Sequence, residues 1–385
     1  MVANVILKTY SLFTEAFSYA VPFPLQERIQ PGMLVHVPFR SRTEKGIIVD
    51  IVDSAPLPHY KEIIDVIGDS PILFDYQIKT AKWTADYYVC PLYKAIDLFL
   101  PKYVWEAKQE HWVERSYELS IGEKKPKGEK EKKVVVHIAS GISFADLQQK
   151  MPDITLSYII KLAQKGIIHL VPGDIIPPYF KNYTLHDIAV IQEKGLKTLT
   201  PVQQKVIDHI HQERQKVFLL HGVTGSGKTE VYLHLAYEQY QQGKQSLILV
   251  PEIALTPQLI AYFFKVFGKH ISVVHSQLSD GERFTEWVRI KRKESFVIIG
   301  SRSALFSPFQ DLGVIILDEE HEWTYKNDQS PRYHTREVAK YLSSLLHIPL
   351  ILGSATPDIE SYEYAKRGEY ILLELPDKIQ HPHAA

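Results

Sequence analysis

The sequence predicts an α/β protein: a doubly wound parallel sheet in the second half, preceded by a small β-rich unit and a short helical module. Two observations carry the two sheets. From about Thr198, six apolar runs alternate with stretches of helical period: Val217–Leu220, Ser246–Val250, Ser272–His275, Phe296–Gly300, Val314–Leu317 and Pro349–Leu352. Near-continuous apolar strands are buried on both faces, as in a parallel sheet covered by helices. Ahead of them, residues 1–105 carry short apolar runs (VANVIL, FSYAVP, MLVHVPF, GIIVDIV) broken by Pro, Gly and Arg, the pattern of a small twisted sheet or barrel.

Taken in order, the β-rich unit ends with a helix-like stretch, Tyr76 to Tyr88, with Ile78, Ala81, Trp83, Ala85 and Tyr88 among its apolar positions, and closes at Pro101. Residues 106–133 are polar and end in a Lys-rich run from Lys124 to Lys133. Glutamates interrupt the lysines, so a solvated linker is expected rather than a DNA-binding tract. Phe144–Lys150 and Leu156–Lys165 then read as two short helices around Pro152-Asp153, followed by a strand, Ile167–Val171. Helix, turn, helix and strand in this order outline a winged helix over residues 134–180. Residues 181–385 form the parallel-sheet lobe, and no internal repeat is visible.

Composition narrows the class. The 385 residues leave room for two or three domains. With 45% hydrophobic and 23% charged residues the chain is neither disordered nor membrane-like. No apolar run approaches the ~18 residues of a membrane span, and the N-terminus lacks the charge pattern of a signal peptide. The single cysteine, Cys90, excludes an internal disulfide and a cysteine-rich zinc site. A cytoplasmic location is expected. The net charge is −1, from 44 basic and 45 acidic residues, so any nucleic-acid contact must come from local patches.

Chemistry concentrates at three strand ends. Val217–His221 leads into Gly222-Val223-Thr224-Gly225-Ser226-Gly227-Lys228-Thr229, and Glu230–Tyr240 reads as helix. This is G-x-x-x-x-G-K-T in its strand–loop–helix setting, a loop whose backbone N–H groups cradle phosphates. Lys228 is suited to the β- and γ-phosphates, and Thr229 to Mg²⁺. The strand Val314–Leu317 ends in Asp318-Glu319-Glu320-His321. There Asp318 is suited to the Mg²⁺ ion, Glu319 to orienting and deprotonating a water, and His321 to sensing the γ-phosphate. The third strand end carries Gly353-Ser354-Ala355-Thr356-Pro357, small hydroxyl residues able to relay a change in the nucleotide.

The order GVTGSGKTE, LVPEIALTPQ, GSRSALFSPF, DEEHEWTYK, RYHTREVA and GSATPDIES resembles the first motor lobe of the bacterial primosomal replication-restart helicases, the primosomal protein N′ family. HVPFRSRTEKGIIVDI and WTADYYVCPLYKAIDLFLP resemble that family's N-terminal domain, which binds the 3′ end of the leading strand at a fork. The resemblance runs from about Ile6 to Leu375. It implies a RecA-like lobe that binds ATP and Mg²⁺, a 3′-end DNA-binding domain and a winged helix. It also implies forked and single-stranded DNA as partners, together with primosome and single-strand-binding proteins. By this resemblance Gln203 reads adenine, and Gly222 to Glu230 form the nucleotide loop. Pro251, Glu252 and Thr256, and Ser301, Arg302 and Ser303, lie along single-stranded DNA. Trp323, Tyr325, Lys326, Arg332, Tyr333 and His334 belong to an aromatic-rich loop that couples DNA to hydrolysis. That loop is polar around its aromatics and is expected to be exposed, since bases stack on aromatic faces.

Two departures bear on strength of binding. The family's 3′-end pocket commonly has an acidic residue before its tyrosine, where this chain has Ser18 before Tyr19. Some members carry a tryptophan where the aromatic-rich loop reads Ser330-Pro331. The family's second motor lobe, which supplies an arginine worth on the order of 10³-fold or more in rate, and its cysteine-rich zinc module are not in this sequence. Zinc is not expected in this chain. The expected function is therefore an ATP-dependent 3′-5′ helicase of replication restart that, in this length, turns over ATP little or not at all. Two alternatives stay open: a non-motor module that recognises forked DNA and recruits partners, and another two-lobed translocase, such as a restriction-complex motor subunit.

Overall fold

In a computed structural model of the chain, the six apolar runs of the second half, and a seventh, form one parallel sheet. The structure describes residues 1–8, 16–53, 60–106, 117–138, 142–143, 165–172, 196–213 and 215–378, together with 147, 150–154, 158–159 and 161–162.

The N-terminal unit is a five-stranded antiparallel sheet of β1 (Val2–Leu7), β2 (Phe17–Ala20), β3 (Leu34–Phe39), β4 (Arg42–Val52) and β5 (Asp65–Ile67), in the order β2-β1-β4-β3-β5. Three helices follow: α1 (Asp75–Tyr87), α2 (Leu92–Asp97) and α3 (Lys102–Glu106). The expected linker carries more structure than its composition suggested. Strand β6 (Tyr117–Ile121) lies within it, and helix α4 (Glu129–Ile138) begins there. The glutamates that seemed only to break up the lysines have a local task. Glu131 accepts from the backbone N–H groups of Lys127 (2.8 Å) and Gly128 (3.1 Å) and from Lys165 Nζ (2.9 Å), fixing the helix start. With β7 (Ile142–Ser143) and β8 (Ile168–Pro172), β6 makes a three-stranded antiparallel sheet, order β7-β6-β8. The two short helices of the expected winged helix fall largely outside the described residues. Leu147, Ile154, Ile159 and Leu162 are buried in one cluster with Val134, Ile138, Ile167 and Ile168.

The second half comprises α5 (Pro201–Gln212), β9 (Val217–Gly222), α6 (Lys228–Gln241), β10 (Gln245–Leu249), α7 (Pro257–Phe267), β11 (Ile271–Val274), α8 (Asp280–Lys291), β12 (Val297–Gly300), β13 (Leu312–Asp318), α9 (Thr335–Leu346), β14 (Leu350–Ser354), α10 (Ile359–Lys366) and β15 (Ile371–Leu375). The sheet order is β11-β12-β10-β13-β14-β9-β15, parallel throughout. Strand β15, ILLEL, is an edge strand only partly buried, so its apolar signal is weaker than the others.

Period-two alternation sorts each strand onto two cores. Phe218, Leu220, Ile248, Val250, Val314, Ile316 and Ile351 pack with α5, α6 and α7. Leu219, Leu247, Leu249, Ile315, Leu317, Leu350 and Leu352 share the other core with α8 and α9. That second core continues without a break into α1, α2 and the face of the N-terminal sheet carrying Ile6, Leu34 and Ile47. Polar bonds reinforce the junction: Trp287 Nε1 donates to the Phe99 carbonyl (3.0 Å), and Tyr76 bridges Ser307 and Phe309. Among the described residues no helix is long and apolar enough to cross a membrane.

Candidate functional site

The phosphate loop forms where β9 ends. Gly225 and Gly227 both hold φ of 84°, a left-handed conformation that side chains resist. Gly222 is needed for closeness: a Cβ there would sit 2.6 Å from Ser226 Oγ. Gly227 caps α6 without a side-chain hydrogen bond, which leaves N–H groups of the first turn directed at the loop. Lys228 is buried, with Nζ donating to the Gly222 carbonyl (2.8 Å). Ser226 Oγ is buried without a partner, and Val223, Thr224 and Gly225 form the more open rim. Partly exposed Thr229 opens α6 beside Lys228. A buried ammonium, an orphaned hydroxyl and free N–H groups fit a polyphosphate.

Strands β13 and β14 bring the acidic residues to the same edge, with Asp318 paired to Gly353 and Ser354 to His221 of β9. Asp318 Oδ1 accepts from the hydroxyl of Tyr232 (2.9 Å), which lies one turn beyond Lys228 on α6. Burial and the adjacent Glu319 carboxylate push the Asp318 carboxyl up to about 6, against the opposing pull of the Tyr232 hydroxyl and the Lys228 ammonium. A carboxylate this short of positive charge suits a divalent cation. Among the described residues no group of three or more His, Cys, Asp or Glu could hold a metal by itself. A site of Thr229, Asp318 and nucleotide phosphates matches the sparse protein ligation of Mg²⁺.

Glu319 breaks the strand with φ of 46°, an uncommon value for a residue with a side chain. His321 is hydrogen-bonded through Nδ1 to Ser354 Oγ (2.8 Å) and through Nε2 to Thr356 Oγ1 (3.4 Å). The acidic segment and the Gly-Ser-Ala-Thr segment are thus joined directly.

At the other end of the loop, Gln203 is buried at the start of α5. Its Nε2 donates to the Gly227 carbonyl (3.2 Å), and its Oε1 accepts from the Thr200 N–H (2.9 Å) in a capping box. Glu230 is buried as well: one carboxylate oxygen accepts from the Tyr262 hydroxyl, and the other has no hydrogen-bond partner. Lys197 Nζ sits 5.0 Å over the Tyr262 ring.

The expected DNA residues divide. Exposed Ser18 donates to Asn4 Oδ1 (2.9 Å), but Tyr19 is buried and bonds to the Pro38 carbonyl (3.4 Å). Neighbours on a strand face opposite ways, so β2 cannot present both side chains outward. Pro251 is buried and Glu252 exposed, while Thr256 caps α7 by accepting from the Leu259 N–H (3.3 Å). Ser301 and Ser303 hold buried hydroxyls without partners, and so does Thr324. Arg302 donates to the carbonyls of Thr324 (3.0 Å) and Lys326 (3.1 Å) and so braces the aromatic-rich loop.

In that loop Trp323 is 74% exposed, and Lys326 and Arg332 are exposed too. Tyr325 and Tyr333, at 1% and 4%, are not, which corrects the expectation of an open aromatic loop. Tyr325 donates its hydroxyl to the Asp318 carbonyl (2.6 Å), and Tyr333 packs edge-on against Phe306. Partly buried His334 caps α9, its Nδ1 accepting from the Arg336 N–H (3.2 Å).

Several residues at the site had no assigned role in the sequence. Glu320 is fully enclosed and bonds Arg336 (3.2 Å), Ser361 (2.8 Å) and the Asp358 N–H (2.7 Å). Arg336 also reaches Glu360 (2.8 Å). Tyr232 had a detectable signal, since a residue four beyond Lys228 shares its helix face. The Arg336 network had none, because its members are brought together by the sheet edge.

The chain is also similar to known proteins. Residues 200–364 match the DEAD/DEAH box helicase family, and residues 4–101 match the family described as 3′DNA-binding domain. The chain is 33% identical to replication restart protein PriA of Bacillus subtilis over 439 residues, covering 95% of this chain and 54% of that protein. It is 35% identical to the Chlamydia pneumoniae protein of the same name, covering 97% and 51%. The chain spans about half the length of these curated relatives. The helicase domain of Hef from Pyrococcus furiosus is similar at 20% identity and a TM-score of 0.36, over 47% of this chain and 38% of that one. The chain belongs with the PriA replication restart proteins, matching their N-terminal part with its 3′ DNA-binding domain and DEAD/DEAH box helicase domain.

Proposed function

We propose that this chain is the nucleotide-binding and fork-binding part of an ATP-dependent 3′-5′ DNA helicase that restarts replication, and that it works with a second motor lobe. The observation that carries this reading is the convergence at one sheet edge of buried Lys228, Thr229, Asp318 and Glu319, tied together by the Tyr232–Asp318 bond of 2.9 Å. Lys228 leaves the Gly222 carbonyl for the β- and γ-phosphates of ATP. Thr229 and Asp318 hold Mg²⁺, which offsets phosphate charge when bound. Glu319 orients and deprotonates the attacking water, and His321 passes the state of the γ-phosphate to Ser354 and Thr356. Gln203 and Glu230 lie at the adenine end.

Single-stranded DNA runs over Glu252, Arg302, Trp323, Lys326 and Arg332, while Ser301 and Ser303, whose hydroxyls are buried, support that path from below. Pro251, Thr256 and His334 shape that path from the backbone side. Exposed Ser18 touches the 3′ end, while Tyr19, Tyr325 and Tyr333 act from within the core. Domains of 1–105 (3′-end binding), 134–180 (winged helix) and 181–385 (first RecA-like lobe) suit this reading. Primosome and single-strand-binding proteins are the partners it implies, in the cytoplasm.

The test is ATP hydrolysis with and without forked DNA, on the chain alone, on the chain mixed with a separately expressed second lobe, and on a Lys228→Ala control. Turnover in the mixture only, lost in the control, is the expected result. Rapid DNA-stimulated hydrolysis by the chain alone would sink the half-site reading. Silence throughout, with fork binding intact, would leave a DNA-recognition module without a motor.

A further inference from the structure

Three consecutive residues at the start of α9 each bond to a different part of the molecule. The hydroxyl of Tyr88, immediately after α1 in the N-terminal unit, accepts from the backbone N–H of His334 (3.1 Å) and lies 3.5 Å from the His334 carbonyl. Next, Thr335 Oγ1 donates to the Tyr325 carbonyl (2.8 Å), and the Tyr325 hydroxyl donates to the Asp318 carbonyl (2.6 Å). Arg336 then pairs with Glu320 (3.2 Å), two residues beyond Asp318. Thr335 is wholly buried and Arg336 nearly so, so water does not replace these bonds cheaply.

The N-terminal helices grip the same stretch at two further points. Lys94 Nζ donates to Ser330 Oγ (3.2 Å), and the Trp83 ring stacks on Tyr341 with centroids 4.6 Å apart and planes 11° from parallel. A shift of α1 therefore moves the first turn of α9, and that turn is bonded on its other side to the segment carrying Asp318. Packed elements joined this way move as bodies rather than deforming smoothly.

We propose that Tyr88 is a positioning residue: through His334, Thr335 and Tyr325 it carries a displacement of the N-terminal unit to the Asp318 segment, and so links occupancy of that unit by a DNA 3′ end to nucleotide affinity. The inference rests on the reading of Asp318 as part of the nucleotide site and of residues 1–105 as the 3′-end domain. Such a link is reciprocal, so the nucleotide tightens or loosens the 3′ end by the same factor.

The experiment measures the affinity of a non-hydrolysable ATP analogue with Mg²⁺, with and without a saturating short oligonucleotide. The oligonucleotide ends in a free 3′-hydroxyl, and a 3′-phosphate version serves as the control. The 385-residue chain is compared with Tyr88→Phe, Thr335→Val and Thr335→Ser, and thermal unfolding is followed for each. In the parent, the free 3′ end should change nucleotide affinity by at least about fivefold, the lower end of ordinary coupling energies. Tyr88→Phe keeps the ring and should bring that ratio to one while each ligand alone binds as before. Thr335→Val should do the same, and Thr335→Ser should restore the ratio. A ratio of one in the parent, or an unchanged ratio in Tyr88→Phe, overturns the proposal. So does a Tyr88→Phe chain that loses both affinities along with its unfolding midpoint, since the hydroxyl would then be structural only. A parent that binds the oligonucleotide but no nucleotide overturns the nucleotide-site reading itself, a result distinct from loss of the link.

Discussion

Glu319 combines a strained backbone with the chemistry assigned to it. A left-handed φ at a residue with a Cβ costs about 1–3 kcal/mol, and here it turns the carboxylate at the end of β13 next to Asp318. Glu319→Gly removes the strain and the carboxylate together. The variant should be as stable as the parent or more so, by up to about 1 kcal/mol, in thermal or urea unfolding. Paired with a second lobe, it should lose about 10²–10⁴ in turnover, the usual contribution of a general base. Gly353 shows the opposite dependence. A Cβ there would fall 1.7 Å from the Tyr232 hydroxyl and 3.3 Å from Asp318 Oδ1. Gly353→Ala should therefore break the Tyr232–Asp318 bond and destabilise by about 1–3 kcal/mol. Nucleotide binding measured beside unfolding would show both losses.

Between elements, buried polar groups hold the layers in register. Gln245 at the start of β10 is wholly enclosed; its amide donates to the carbonyls of Ile290 (3.0 Å) and Ser295 (2.9 Å) and accepts from the Gln310 N–H (2.8 Å). Gln245→Leu leaves these backbone groups unpaired, at about 1–3 kcal/mol for each, and should lower the urea midpoint clearly. The Arg336–Glu320 pair joins α9 to the acidic segment and, through Ser361 and Glu360, to α10. Arg336→Met strands the Glu320 carboxylate in the core, which costs about 3–5 kcal/mol. If unfolding shows less than about 1 kcal/mol, the range of an exposed pair, this pair does not brace the site.

For the whole molecule the decisive contact is the continuous core between the N-terminal unit and the parallel-sheet lobe. Lys291 on α8 lies in it, with Nζ donating to the Pro71 carbonyl (2.5 Å) between the rings of Trp287 and Phe74. Burial pushes its ammonium down to about 8 from 10.5. Between these values the unfolded chain binds the proton more readily than the folded one, so Lys291 favours folding increasingly as pH rises through this window. Relative to a Lys291→Met chain, the parent should gain stability from pH 8 to 10.5 and show no such trend from pH 6 to 7.5. Urea unfolding of both chains across that range measures the difference.

The sequence by itself determined the parallel sheet, the phosphate loop at Gly222–Thr229 and the acidic strand end at Asp318. Each of these is written in neighbours a few residues apart, whose spacing sets period or turn. It left Tyr19, Tyr325 and Tyr333 as surface candidates, because an aromatic among polar neighbours looks the same in sequence whether its ring finds a core or not. Only the tertiary structure decided those rings, the buried Arg336–Glu320 pair and the seating of α1 against α9. The reason is distance along the chain: Tyr88 and His334 are 246 residues apart, and no local pattern encodes a hydrogen bond between them.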